Sequence, residues 1–284
     1  MPDEPRQLSL DEYPRPLCEI PEPPTELWMR GKFATPGTKH LAVVGSRALT
    51  EYGRTACESL IRGLSGYPIS IVSGLALGTD AVAHKAALEA GLHTVAIPGS
   101  GLGDKVIGPR ANLPLAMDIL AAGGALLSEH PPDYTPRPYD FPSRNRIMVG
   151  LSDAVLVIEA AEKSGTLITA RLAAEYNRDL LCVPHRIKDP NGYGSHLFIR
   201  LGAALITEPA HILEALGLKE ELATPAPENL SADEVRVYQL LERALPREEL
   251  IKLSGLSSTD ALYALVALEL KGHAKEELGT WKRV

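Results

Sequence analysis

From residue 40 onward the chain alternates short apolar runs with helix-length stretches, and no other feature constrains its fold as strongly. The apolar runs fall at 41–45, 69–73, 93–97, 125–128, 154–158, 180–183 and 203–206. Helical stretches lie near 50–65, 78–91, 112–123, 143–151, 166–177, 193–202 and 209–216. The runs are apolar at consecutive positions, so each strand expects a covering layer on both faces. Regular β/α alternation with short connections predicts a doubly wound, mostly parallel α/β sheet. Several runs end in small-residue turns: Gly45-Ser46-Arg47, Ser73-Gly74, Gly99-Ser100-Gly101 and Ser164-Gly165-Thr166. All of these are expected on the carboxyl edge of the sheet, where such folds bind ligands.

The alternating core predicts one domain over 40–217. Residues 1–39 hold eight prolines and little periodicity. They read as an irregular N-terminal lead-in, with Leu27 and Trp28 docking on the main domain. Residues 218–230 read as a linker, with two prolines and no strand pattern. Over 231–284, Ser231 and Glu234 have the spacing of a capping box. Helices near 232–244, 247–253 and 258–271 and a short strand pair in 273–284 suggest a winged-helix module. No secretory pattern and no apolar run of membrane-spanning length occur, which places the chain in the cytoplasm. Cys18, Cys57 and Cys182 are far apart and read as reduced thiols.

Several chemistries are absent from the sequence. The eight histidines never fall into a paired ligand spacing, so no metal site is expected. There is no Gly-x-Ser-x-Gly elbow, no Gly-x-x-x-x-Gly-Lys-Ser/Thr loop, and no Gly-x-Gly-x-x-Gly after the first core strand. No catalytic residue and no cofactor are therefore assigned. The net charge is −7, and residues 41–217 carry 15 basic against 17 acidic groups. Any polyanion must be held by a local cluster.

One such cluster is legible. Residues 142–170 join a helix carrying Arg144 and Arg146 to a buried strand, then place Lys163 before a Ser164-Gly165-Thr166 helix start. Backbone N–H groups at a helix N-terminus with a cation alongside can hold phosphate. Arg144 and Arg146 diverge on their helix, so one is expected to face the ligand and the other to be tied into the fold; Arg144 is the one expected at the ligand. Arg47 can fork onto phosphate oxygens or pair with an acid such as Asp80. Ser73-Gly74 supplies a second small-residue turn. Asp80 and His84 at i, i+4 are expected to share a structural hydrogen bond. Arg110 precedes the third helix, with Asn112 as its expected cap. Arg47, Arg110, Arg144 and Lys163 all belong to one predicted sheet edge.

These motifs resemble a known family. Gly45-Ser46-Arg47 with Tyr52-Gly53, and Ser73-Gly74-Leu75-Ala76 with Asp80 and Ala83-His84, are similar to the DprA/Smf DNA-processing proteins. So are Gly99-x-Gly101-Leu102 with Pro109 and Asn112, Ser128-Glu129, and Phe141-Pro142-x-Arg144-Asn145-Arg146-Ile147. Gly150-Leu151-Ser152, Glu159-Ala160, Ser164 to Ala170 and Gly202-Ala203 extend the likeness over about 40–210, and Tyr13-Pro14 to Gly31 fits the family's lead-in. The resemblance implies an extended Rossmann-like domain in a single-stranded DNA-binding protein that protects incoming DNA. It further implies a homodimer that helps load RecA recombinase in natural transformation and recombination, with no established turnover. By position it implies DNA contacts at Arg47 and Arg110, with Arg144 and Lys163 nearby. Many members also carry a helical N-terminal domain, which this sequence does not show.

The chain departs from the family at His185, His196, Asn177 and Gly108. Asn177 stands for a glycine expected in a left-handed conformation, and Gly108 for a tyrosine able to stack on a base. The alternative function is a Rossmann-like nucleotide-binding sensor or nucleoside-phosphate hydrolase. Nucleotide glycosidases of similar fold carry a double glycine and a glutamate after the Gly-Thr pair, where this chain has Glu162-Lys163-Ser164-Gly165-Thr166 and then Thr169. In the tail, the helix near 258–271 has Lys271 as its one basic residue, against Asp260 and Glu269. It is poorly equipped for duplex phosphates.

Overall fold

A computed structural model describes residues 4–219, 230–241, 245–277 and 279–283. The chain divides into two compact units that meet at residues 219 and 220. The linker expected at 218–230 falls mostly outside the described residues.

In chain order the first unit comprises β1 (Arg6–Gln7), α1 (Arg15–Cys18), β2 (Trp28–Gly31), β3 (Lys39–Val44), α2 (Glu51–Arg62), β4 (Ile69–Ser73), α3 (Thr79–Glu89) and β5 (His93–Ala96). There follow α4 (Leu113–Ala121), β6 (Ala125–Ser128), α5 (Asp140–Leu151), β7 (Ala154–Val157), α6 (Thr166–Glu175), β8 (Asp179–Cys182), α7 (Tyr193–Arg200), β9 (Ala204–Leu205) and α8 (Pro209–Ala215). The nine strands form one sheet in the order β1-β2-β6-β5-β4-β3-β7-β8-β9. From β6 to β9 all neighbours are parallel, with Leu41 of β3 in register with Ile71 of β4 and Ala154 of β7.

Consecutive apolar positions in β3 explain the two layers. Leu41 and Val43 join Leu60, Ile61, Ala86 and Ile212 on one face. Ala42 and Val44 join Ile147, Met148 and Ala170 on the other. Side chains alternate across a strand, so a sheet with both faces covered needs this run of apolar residues. Each fully buried Leu or Ile contributes about 1.5–3 kcal/mol of transfer free energy.

The expectation of an irregular lead-in is corrected. β2 pairs antiparallel with β6, with Met29 opposite Leu127, and β1 pairs with β2. Leu17 and Leu27 are fully buried, and with Leu8 they join the same core layer as α5 and α6. Residues 4–39 therefore belong to the first unit and contribute β1 and β2 to its sheet. Arg30 hid the strand: it is buried within β2, where its guanidinium meets Asp104 and the Leu102 carbonyl, so the hydrophobic alternation is broken.

Local chemistry sets several element ends. The Thr50 hydroxyl accepts from Gly53 N–H at 3.1 Å and caps α2. Asn177 holds φ 53° after α6, the left-handed conformation expected of it. α5 starts three residues earlier than expected, because Pro142 is tolerated in a first helical turn.

The second unit contains α9 (Ala232–Leu240), β10 (Leu245–Pro246), α10 (Arg247–Ser254), α11 (Ser258–Leu270), β11 (Ala274–Glu277) and β12 (Thr280–Arg283). Its ribbon runs β10-β12-β11 and is antiparallel throughout. Three helices with a small ribbon are the layout of a winged helix. The Ser231–Glu234 capping box forms, with Ser231 N–H donating to Glu234 at 2.6 Å. A core of Val237, Tyr238, Leu250, Leu265 and Trp281 holds the unit together.

Candidate functional site

The sheet reverses its winding between β3 and β7, and the carboxyl ends of such neighbours open a crevice. Loops after β3, β4 and β7 and the start of α5 enclose a cleft of about 740 Å³ there. Gly45, Ser46, Arg47, Arg144, Lys163, Ser164, Gly165 and Thr166 all line it, as the sequence predicts. Ser73, Arg110 and Asn112 are not on its wall, and Gly74 lines an adjoining hollow of about 210 Å³ with Gly108 and Pro109.

The Gly45-Ser46-Arg47 turn is held from two sides. A Cβ on Gly45 would lie 3.0 Å from Thr79 Cβ, so only glycine lets α3 approach this closely. Thr79 then donates to the Ser46 carbonyl from both its N–H and its hydroxyl, each at 3.1 Å. Behind the turn, fully buried Glu159 accepts from Thr50 N–H at 3.2 Å and from the Thr50 hydroxyl. A fixed backbone thus presents an exposed Arg47. Its guanidinium lies 5.4 Å above the Phe141 ring, within cation–π range. No Arg47–Asp80 ion pair forms among the described residues. Asp80 instead accepts from Ala76 N–H at 3.1 Å.

Arg144 stands on the cleft wall but is bonded inward. It is 6% exposed, and its Nη1 donates to the Gly74 carbonyl at 2.6 Å and to the Ile97 carbonyl. Its side chain ties the ends of β4 and β5 together, and a Cβ on Gly74 would sit 2.6 Å from its Cζ. Burial, with Arg47 adding to it and Asp80 opposing, brings the Arg144 pKa down to about 10. Burial raises the Asp80 carboxyl, opposed chiefly by Arg144 and also by Ala76 N–H, Ser73 and Arg47. Arg146 is tied in as well, to the Glu22 carbonyl and to Glu129.

Other predicted groups are also engaged within the fold. Ser73 is buried and its hydroxyl donates to the Val43 carbonyl at 2.7 Å. Asn112 precedes α4 but makes no side-chain cap; its Nδ2 donates to the carbonyls of Leu75 and Ala76 at 2.8 and 3.1 Å. Arg110 is exposed and donates to the Asp104 carbonyl. The expected Asp80–His84 bond is replaced by one between His84 Nδ1 and the Thr94 hydroxyl at 2.8 Å. Burial lowers the His84 pKa to about 3.

At the start of α6 the Ser164 hydroxyl accepts from Thr166 N–H at 3.1 Å, and Leu167 and Ile168 N–H bond the Ser164 and Gly165 carbonyls. These amides are spoken for, which shifts the weight of anion binding to Lys163, an exposed side chain on the cleft wall. Phe141, Thr50 and Glu159 were not picked out as functional from the sequence. The segment Phe141-Pro142-x-Arg144-Asn145 carries the signal for Phe141, and an aromatic ring beside Arg47 in a cleft that also holds Lys163 suits a nucleobase.

Comparison with known proteins agrees with this fold. The family described as DNA recombination-mediator protein A matches residues 7–217, and the DprA winged helix domain matches 221–279. The chain is 44% identical over 275 residues to protein Smf of Escherichia coli, covering 92% of this chain and 72% of that one. It is 41% identical over 203 residues to DNA processing protein DprA of Streptococcus pneumoniae, covering 72% and 71%. The crystal structure of DprA from Streptococcus pneumoniae superposes with a TM-score of 0.68 at 38% identity, over 74% of this chain and 73% of that one. A structure of DNA processing protein A from Helicobacter pylori, described for its single-stranded DNA binding mode, gives 0.65 at 28% identity, over 75% and 96%.

Proposed function

The chain belongs to the DNA recombination-mediator protein A family, and on that premise we propose that its switch-point cleft grips the backbone of single-stranded DNA. The observation that carries this reading is Arg47, an exposed guanidinium with no carboxylate partner among the described residues, set over Phe141 on the same cleft wall system as Lys163. Arg47 and Lys163 neutralise phosphates, Phe141 stacks on a base, and buried Arg144 adds positive potential without touching the strand. Arg110 lies beyond Pro109, outside the cleft, and contributes at longer range.

In the cell, the protein protects incoming single strands and helps load RecA recombinase on them during natural transformation and recombination. It does so as a homodimer in the cytoplasm and without catalytic turnover. Family membership supports these roles. Among the described residues no helix is long and apolar enough to cross a membrane.

A nucleotide hydrolase is the weaker reading. Glycosidic chemistry commonly uses a pair of carboxylates, and Asp80 is the one carboxylate among the described residues lining the cleft. Thr169, in place of a glutamate, accepts from Asn145 Nδ2 at 3.0 Å. A salt-titrated gel shift comparing single-stranded DNA, duplex DNA and mononucleotide competitors tests the assignment. Tight single-strand binding that mononucleotides do not displace is expected; displacement by mononucleotides at comparable concentration overturns it.

A further inference from the structure

A second cleft opens beside the first. It measures about 600 Å³, lies between the start of the β7–α6 loop and the segment leading through α7, and shares Ala161 and Lys163 with the switch-point cleft. Lys188 and Arg200 stand on its wall, both exposed, and neither has a hydrogen-bond or ion-pair partner among the described residues. Two acids also line it, but they are not equivalent. Asp189 accepts from Asn191 N–H at 2.9 Å and its other oxygen lies 3.6 Å from buried His185 Nδ1. Asp189 is held by its own loop while Glu162 is exposed, and the two acids stand against three cations, Lys163, Lys188 and Arg200.

Two more features shape the wall. Lys188 holds φ 68°, a left-handed conformation that a lysine adopts only where the surroundings impose it. Tyr193, at the first position of α7, is 44% exposed and offers an aromatic face beside the cations. Unpaired cations with an exposed aromatic ring suit a sugar-phosphate backbone with a base stacked against it.

We infer that this second cleft takes the next stretch of the same DNA strand, with Lys188 and Arg200 on its phosphates, Tyr193 on a base, and Lys163 as the shared post around which the strand passes. The inference rests on the single-strand reading of the switch-point cleft. Continuity through Lys163 is what favours a strand over a free nucleotide, because one cation serves both walls.

Affinity as a function of oligothymidylate length, from about four to about 20 nucleotides, tests it on the full chain by fluorescence anisotropy. In the Lys188→Ala/Arg200→Ala variant, short oligonucleotides should bind as they do to the unaltered protein. Beyond the length that fills the first cleft, its curve should flatten while that of the unaltered protein keeps rising. The gap at the longest lengths should reach about three- to tenfold, and the salt dependence should be shallower by about 1.4 for two lost phosphate contacts. Superimposable length curves, or a loss by the same factor at every length, would overturn the second cleft. Arg47→Ala separates the two readings, since it should weaken every length. If it weakens none, the switch-point assignment fails; if it weakens all while the double variant changes nothing, only the second cleft fails. Both substituted side chains are exposed, and circular dichroism checks that the fold is kept.

Discussion

Two surfaces in this chain invite a nucleic-acid assignment, and they are built on opposite principles. The switch-point cleft sets Arg47 over the Phe141 ring with Lys163 on the same wall, and neither cation has an ion-pair partner among the described residues. Helix α11, placed in sequence like the recognition helix of a winged helix, exposes Tyr263, Val266 and Leu270. The cation that follows it in sequence, Lys271, is bonded to Glu234 at 2.7 Å. A polyanion is held by cations that release counterions, and an apolar helix face offers none. Net charge hides this difference, since neither 41–217 nor 228–284 is basic overall. The position and partners of each cation matter, not their number.

Within the cleft the same contrast separates two arginines, and it sets the largest expected effect. Arg144→Leu leaves the Gly74 and Ile97 carbonyls without their donor, and should lower stability by about 3 kcal/mol in urea unfolding. A stable Arg144→Leu variant that loses DNA binding would instead make Arg144 a ligand group and break the contrast.

Arg47→Ala with Lys163→Ala should leave stability nearly unchanged while weakening single-strand binding about tenfold to a hundredfold. Its salt slope should flatten by about 1.4. Unchanged affinity and slope in a salt-titrated gel shift would remove the cleft from the interface.

A third effect belongs to the layer beneath the cleft. His84 is buried and neutral, with its pKa lowered to about 3. The unfolded chain takes up that proton near pH 6.5, so the folded state loses stability as pH falls from about 6.5 toward 3, by up to about 1.4 kcal/mol per pH unit. Asp80, raised by burial, works in the opposite sense. Urea midpoints at pH 7 and pH 5 should show a loss of roughly 2 kcal/mol in the unaltered protein that His84→Gln lacks. Equal pH dependence in both would show that other groups govern it.

The smallest effect is expected from the second unit. Removing 228–284 should change single-strand affinity by no more than about twofold, because α11 offers no unpaired cation to the phosphates. A large loss in gel shift would put the two surfaces on an equal footing.

Much of this architecture was legible beforehand. Runs such as 125–128 and 154–158 mark strands because each is apolar at consecutive positions and is bounded by turn residues. Ser231 marks a helix start because a hydroxyl can take an otherwise unpaired amide. The lead-in strands were not legible. β1 has two residues, prolines dominate its surroundings, and β2 carries a buried Arg30 whose partner Asp104 lies 74 positions away. The roles of Ser73 and Asn112 were hidden for a similar reason: their hydrogen bonds go to Val43, and to Leu75 and Ala76, so residue type alone reads as a ligand group.

The sequence by itself determined the doubly wound sheet, the edge where its loops gather, and the family, because periodicity and turn chemistry are local properties of the chain. Only the tertiary structure decided which cations are available. Arg47 and Arg144 are the same side chain on the same predicted edge. One projects from a turn buttressed by Thr79, and the other is drawn inward by carbonyls 70 and 47 residues away. Burial and partners arise from contacts distant in sequence, and they alone separate a phosphate grip from a structural clamp.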